Sequence, residues 1–174
     1  MAVVFRIIIQ CFIFTLFIFY DVQDRVQSMG EARTYSADII ACHDAAIPKL
    51  VDKSKGYVVF DEVAGLASFQ QSLIRNLNLQ PNLTPTNNKI FYGQIKIVGV
   101  MFIGDDKVPH DASGKPIYPY TYSNSLIYRG HSISVDETLY GPSVIGIIEA
   151  GYNTELKPVV MKTAVYRYVG QSLN

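Results

Sequence analysis

The apolar residues of this 174-residue chain are concentrated at its amino end. The stretch Ile7–Tyr20 is almost entirely apolar, and Arg6 is the only charged residue before Asp21. With the four preceding residues the run approaches the ~20 residues that cross a hydrocarbon core. The pattern therefore predicts one membrane-spanning or filament-core helix, whose large apolar members are Ile7, Ile8, Ile9, Phe12, Phe14, Leu16, Phe17 and Phe19.

The position of Arg6 predicts how this helix is oriented. Basic residues favour the cytoplasmic side of a membrane, so we expect the chain beyond Tyr20 to lie outside the cytoplasm. The competing interpretation is a secretory signal peptide, but Tyr20 is not followed by a small-x-small cleavage site, which favours an uncleaved anchor. A third interpretation, a helix packed against copies of itself in a filament, is compatible with the first.

A helical period continues after Tyr20. Apolar residues at helical spacing predict one stripe along a long helix from about Ala2 to about Ala46, which Pro48 ends. We therefore divide the chain into a membrane or filament-core helix (1–20), an amphipathic continuation that packs on a globular domain (21–50), and an extracytoplasmic domain (51–174). The residues of the predicted stripe are Val22, Val26, Met29, Ile40 and Ile47.

The next segment predicts a connector, a short strand and a second helix. Lys49–Gly56 is a polar connector, and Tyr57–Phe60 is a strand. Asp61 is a suitable N-cap for a helix that runs to about Leu77. Four residues of that helix share one face by their spacing, which predicts that they enter the core: Leu66, Phe69, Leu73 and Leu77.

From Lys89 the period changes to two, which predicts a long strand. We expect it to be central in its sheet, with Gly93 and Gly99 marking either a bulge or a close approach by the helix. Strand-like runs then follow without helices between them, which predicts antiparallel pairing in a meander against the long helix, and an α+β fold class. One face of the long strand is predicted to carry Phe91, Ile95, Ile97, Met101 and Ile103, and the later strands are His131–Glu137, Ser143–Tyr152 and Pro158–Val169.

Composition excludes one class of partner. Fifteen basic and fifteen acidic residues give a formal net charge of zero, and no Lys/Arg cluster occurs along the chain. Nucleic-acid binding therefore has no electrostatic support. Cys11 and Cys42 lie about thirty positions apart, the first within the apolar run, so we do not expect them to form an intramolecular disulfide.

Two groups of residues have the side chains of a chemical site. Cys42, His43 and Asp44 are the residue types of a nucleophile triad, but adjacent helical residues point about 100° apart, so we expect no proton relay. The loop residues Asp105, Asp106, His110 and Asp111 match no EF-hand or zinc spacing. Because no phosphate loop or nucleophile elbow is present either, we expect no catalytic residue, no metal and no cofactor.

Four tyrosines follow the acidic loop. Tyr combines apolar area with a polar tip, so these side chains could form a partner surface. Alternating tyrosines in strands are also ordinary sheet surface, and the sequence does not separate the two interpretations. The four are Tyr118, Tyr120, Tyr122 and Tyr128.

The long helix followed by an antiparallel sheet resembles the type IV pilins and their minor pseudopilins. Within that group the chain is similar to the TadE-like proteins of tight-adherence pilus systems, through VVFDEVAGLASFQQSLIRNLNL (58–79) and the strands containing PSVIGIIEAGY and PVVMKTAVYRYV. The resemblance implies a pilus or pilus-assembly subunit whose partners are the membrane and other pilin subunits. Phe5 and Arg6 stand where prepilins carry a basic leader and a Glu, which implies entry by another route or a membrane-held partner.

Three functions follow from these observations. The first is a non-enzymatic pilus-related structural or assembly subunit, in which Gln10 and Thr15 could hydrogen-bond across helices. The second is a single-pass envelope protein whose outer domain binds a ligand or scaffolds a secretion complex. The third and weakest is a metal-dependent hydrolase that uses the loop from Asp105 to Asp111.

Overall fold

The computed structural model describes residues 2–52, 57–87 and 89–169. These residues form two helices and seven strands, and one 3-10 turn, Asp105–Lys107, follows the third strand. The helices are α1 (Ala2–Ala45) and α2 (Glu62–Leu77). The strands are β1 (Pro48–Asp52), β2 (Tyr57–Phe60), β3 (Phe91–Ile103), β4 (Tyr120–Tyr128), β5 (His131–Leu139), β6 (Ser143–Tyr152) and β7 (Val159–Arg167).

Local signals set the ends of both helices. α1 is continuous over 44 residues and ends three residues before Pro48. The side chain of Asp61 accepts a hydrogen bond from the Ala64 N–H at 3.0 Å and caps α2, as predicted. Asn78, in the left-handed conformation, closes the other end of α2 by donating its N–H to the Ile74 carbonyl.

The main sheet has the strand order β3-β6-β7, and both pairings are antiparallel. All ten residues of β6 are buried, because helices cover one of its faces and other strands cover the opposite face. The prediction that β3 is central was therefore wrong: β3 is an edge strand, and β6 is the centre.

Bulges divide the predicted apolar face of β3. Its register with β6 shifts between Tyr92 and Lys96 and again between Ile97 and Gly99, near the two predicted glycines. The second shift places one extra residue on β3, which exchanges its two faces. Phe91, Ile95 and Ile97 consequently face the helices, whereas Met101 and Ile103 belong to the opposite side, so the prediction of one common face was wrong.

The molecule has three layers. α1 and α2 cover one face of the main sheet, and the β4–β5 hairpin covers the other through Val135 and Leu139. The α+β class and the antiparallel pairing are confirmed. The expected meander was wrong, because β4 and β5 form a separate two-stranded sheet on the face away from the helices, and β6 returns to pair with β3.

Two smaller predictions also differ from the structure. The first part of the predicted connector Lys49–Gly56 belongs to strand β1 (Pro48–Asp52), which pairs antiparallel with β2. Residues 53–56 lie outside the described residues. In α2 the side chains of Phe69, Leu73 and Leu77 are buried as predicted, but Leu66 is 48% exposed. Leu66 lies on the side of α2 that borders an open cleft beside Val100.

Candidate functional site

The first half of α1 lies outside the folded body. Among the described residues α1 is the helix long and apolar enough to cross a membrane, and its most apolar window has no residue buried within the fold. The hydroxyl of Thr15 donates to the Cys11 carbonyl at 2.8 Å, so its proton is used within the same helix. All eight residues predicted for the span are exposed: Ile7, Ile8, Ile9, Phe12, Phe14, Leu16, Phe17 and Phe19.

The second half of α1 packs on the sheet through small residues. The predicted stripe was wrong as the packed face, because Val22, Met29 and Ile40 are exposed. Its other two members, Val26 and Ile47, are half-buried. The buried face contains no side chain larger than Asp, which lets the helix axis approach the sheet closely. We call it the small-residue face; its members are Gly30, Thr34, Ala37, Asp38, Ala41, Cys42 and Ala45.

Glycines on the facing elements permit this close approach. A Cβ on Gly146 of β6 would lie 2.8 Å from the Cys42 Sγ and closer still to Asp38 Oδ1. A Cβ on Gly65 of α2 would lie 2.6 Å from the Ala45 carbonyl oxygen. The packing of α1 therefore depends on missing side chains on both sides of the contact.

The small-residue face contains a buried carboxyl group. Asp38 is fully buried; one of its oxygens accepts the Cys42 thiol at 3.9 Å, and Oδ2 has no hydrogen-bond partner among the described residues. Burial raises the pKa of Asp38 from 3.8 to about 8, against the opposing hydrogen bond from Cys42, so the carboxyl is neutral at pH 7. Burial, followed by the proximity of Asp38, raises the pKa of the Cys42 thiol as well.

Cys42, His43 and Asp44 separate into two groups. Cys42 points into the core, where its single thiol proton is shared between Asp38 and the Ala164 carbonyl, 3.7 Å from Sγ. His43 lies outside, edge-on to the Tyr166 ring, and its Nδ1 is 3.1 Å from Asp44 Oδ1. The premise that adjacent helical side chains point apart therefore fails for His43 and Asp44, whereas Cys42 lies away from both.

Asp44 connects α1 to α2. Its Oδ2 accepts hydrogen bonds from Ser72 Oγ and Arg75 Nη2, each at 2.7 Å. Partial burial acts to raise the pKa of Asp44, but the hydrogen bonds from Ser72 and His43 and the charge of Arg75 outweigh it and hold the pKa below 3.8. Asp44 is therefore ionised at pH 7, unlike Asp38 two turns earlier.

The acidic loop after β3 has its side chains directed to different partners. Asp105 is buried and accepts the Val58 N–H at 2.7 Å and the Tyr118 hydroxyl at 2.8 Å. Asp111 stays outside, where it accepts from the backbone N–H groups of Ser113 and Lys115. Within residues 2–52, 57–87 and 89–169, no group of three His, Cys, Asp or Glu side chains could hold a metal ion.

The four predicted surface tyrosines are half-buried. Tyr118, Tyr120 and Tyr122 pack against the core between the hairpin and the sheet. Tyr128, at the end of β4, has the Arg129 guanidinium 5.4 Å above its ring. Each ring therefore has one side within the fold, and the role of these residues as a partner surface stays a prediction.

The small-residue face is the feature that the sequence analysis missed. Its signal was present: small residues recur at spacings of three and four from Gly30 to Ala45. A search for large apolar residues at helical spacing passes over such a face. Comparisons of the chain with protein-family models, with curated protein sequences and with solved structures gave no match.

Proposed function

We propose that this protein is a non-enzymatic, pilus-related structural or assembly subunit of the TadE-like type, held by the first half of α1. The observation that carries the proposal is the continuity of α1. One helix has an exposed apolar half and a second half packed on the sheet. Because the two halves are continuous, fixing the first half in a membrane or filament also fixes the position of the body.

The charges at the ends of the apolar segment support an outward-facing body. Arg6 precedes the segment, whereas the first basic residue after it, Arg25, is paired with Asp21 at 3.0 Å. Positive residues are retained on the cytoplasmic side, which leaves the body, from Asp21 onwards, outside.

The exposed apolar residues support assembly with other helices. They occupy all sides of α1 from Val3 to Tyr20, and nothing in the described fold covers them. Lipid tails cover such a surface in a bilayer, and neighbouring copies of the helix cover it in a filament. A subunit of this kind is stored in the membrane and then extracted into a fibre.

The positions of the reactive side chains support a structural role. Cys42 and Asp105 are buried and hydrogen-bonded within the body, and Asp44 links the two helices. These residues stabilise the fold where an enzyme would present them to a substrate.

Mechanical shearing of expressing cells tests the proposal. The sheared material is sedimented at high speed and probed for this chain beside a resident membrane protein, which marks vesicle contamination. Recovery of the chain in filaments that lack the marker supports the pilus subunit. Recovery only with the marker would contradict filament assembly and favour a single-pass envelope protein that binds a ligand or scaffolds a secretion complex.

A further inference from the structure

The loop between β6 and β7, residues 153–158, lies beside the end of the apolar segment of α1. The Glu155 N–H donates to the Gln23 side-chain oxygen at 3.0 Å. Leu156 lines one cleft together with Phe19 and Tyr20, the last residues of that segment. At 90% exposure, Leu156 is the most exposed of the large apolar side chains described.

The backbone holds this loop in one shape. The Tyr152 N–H donates to the Pro158 carbonyl, and the Lys157 N–H donates to the Thr154 carbonyl, each at 3.0 Å. Lys157 is in the left-handed conformation, and its ammonium group lies 4.9 Å from the centre of the Tyr92 ring. Lys157 is thus directed back towards β3, and Leu156 forms the tip of the loop.

The position of Gln23 places the loop relative to a bilayer. Gln23 follows Tyr20 by three residues, which is about 4.5 Å along a helix axis. The headgroup layer on each side of the hydrocarbon core is roughly 5–8 Å thick. If the apolar segment to Tyr20 lies in the hydrocarbon, residues 153–158 lie at the level of the headgroups, with Leu156 next to the acyl chains.

We propose that the β6–β7 loop is a second membrane contact, in which Leu156 inserts into the lipid surface beside α1. The inference rests on the membrane anchor of the proposed function. Asp24 and Glu155 line the same cleft, and their negative charges would be repelled by anionic lipids. The loop therefore fits a zwitterionic lipid surface, which it contacts through the apolar side chain of Leu156. Two attachment points, the helix and the loop, fix the orientation of the body on the membrane, which a single helix leaves free to rotate.

The absence of tryptophan from the chain makes a direct test possible. Single-tryptophan variants of the full chain are reconstituted in phosphatidylcholine vesicles with and without brominated acyl chains, which quench tryptophan on contact. The reporter is Leu156→Trp, and Phe14→Trp monitors the span. Val63→Trp is the matched control: Val63 is 84% exposed, but it lies on α2 near Ala45, about 37 Å along α1 from Tyr20.

We expect the Leu156→Trp and Phe14→Trp proteins to lose emission in brominated vesicles and to emit at shorter wavelength than the Val63→Trp protein. Equal emission of the Leu156→Trp protein in both kinds of vesicle, with quenching retained in the Phe14→Trp protein, would overturn the loop contact and leave the anchor intact. Loss of quenching in the Phe14→Trp protein would overturn the anchor, and the loop contact with it.

Discussion

The two halves of α1 are one helix adapted to two environments. From Val3 to Tyr20 the apolar side chains are large, point in all directions and are exposed. From Gly30 to Ala45 the buried side chains are small and share one face, whereas the larger Tyr35 and Ile40 are exposed. Side-chain size, more than hydrophobicity, therefore distinguishes the exposed apolar half from the half that packs on its own sheet.

The difference has a physical reason. Large side chains on every side suit a surrounding that adapts its shape to them, such as lipid. Small side chains allow two rigid elements to come close, so that many weak contacts form between helix backbone and strand.

The largest effect is expected from charges in the first half. Replacing Phe14 and Phe17 together by Asp should abolish membrane retention, because each carboxylate costs about 3 kcal/mol in a hydrocarbon core. Retention is measured by sedimentation of membranes after alkaline extraction. The control is Met29→Asp, on the same helix but in its second half and 58% exposed, which should be retained fully. Undiminished retention of the double variant would refute the span.

The close approach in the second half predicts a loss of stability in Gly146→Val. The added carbons meet Asp38, Cys42 and the Phe69 ring, so we expect a decrease of about 3 kcal/mol in the free energy of unfolding, although valine favours strands. Urea unfolding of the full chain in detergent, followed by circular dichroism, measures it. Gly99→Val, whose Cβ would meet only the flexible Leu126 methyl, should cost less. Equal costs would contradict the packing argument.

Asp38 predicts a pH dependence that belongs to the second half alone. Its folded pKa of about 8 exceeds 3.8, so between these values only the folded state binds the proton. This contribution to stability is full below pH 3.8 and is lost as the pH rises to about 8, by at most about 1.4 kcal/mol per pH unit. The free energy of unfolding, measured with urea, should therefore decrease from pH 5 to pH 7 in the native chain and stay constant in Asp38→Asn. Parallel curves would show that Asp38 is ionised in the fold.

The smallest change in stability is expected from substitutions of two aspartates of α1, Asp44 and Asp21. Asp44→Ala removes the contacts to Ser72 and Arg75, so we expect a loss of about 1 kcal/mol in the free energy of unfolding. Asp21→Ala removes an exposed pair with Arg25 and should change stability by less than about 0.5 kcal/mol. Denaturant unfolding of both variants decides the matter, and a larger effect of Asp21→Ala would run against the view that α1 is held at its second half.

The sequence predicted those elements whose signals are local. The length of α1 follows from its apolar run and from Pro48, and the start of α2 follows from Asp61. The central place of β6 was not predicted, although Val144, Ile145, Ile147 and Ile148 form the continuous apolar pattern of a strand buried on both faces. Alternation in β3 was misleading because a bulge, which depends on the partner strand, exchanges its faces.

The candidate site was predicted for one half of α1 only. A run of large apolar residues predicts a surface that is buried in lipid or protein. Small residues predict a packed face only when the residues that pack against them are known, and here these are Gly146 and Tyr152. In the same way, no sequence pattern marks Leu156. The position of the β6–β7 loop beside α1 follows only from the folded contact between Glu155 and Gln23.

The central position of β6 determines the order in which parts of the protein can fold during synthesis. α1 precedes the main sheet along the chain, yet its Cys42 contacts the Ala164 carbonyl across 122 positions. The β4–β5 hairpin can close by itself around Arg129 and Gly130, but the main sheet cannot form until residue 152 has been made. The second half of α1 is therefore synthesised well before the sheet that covers its small-residue face.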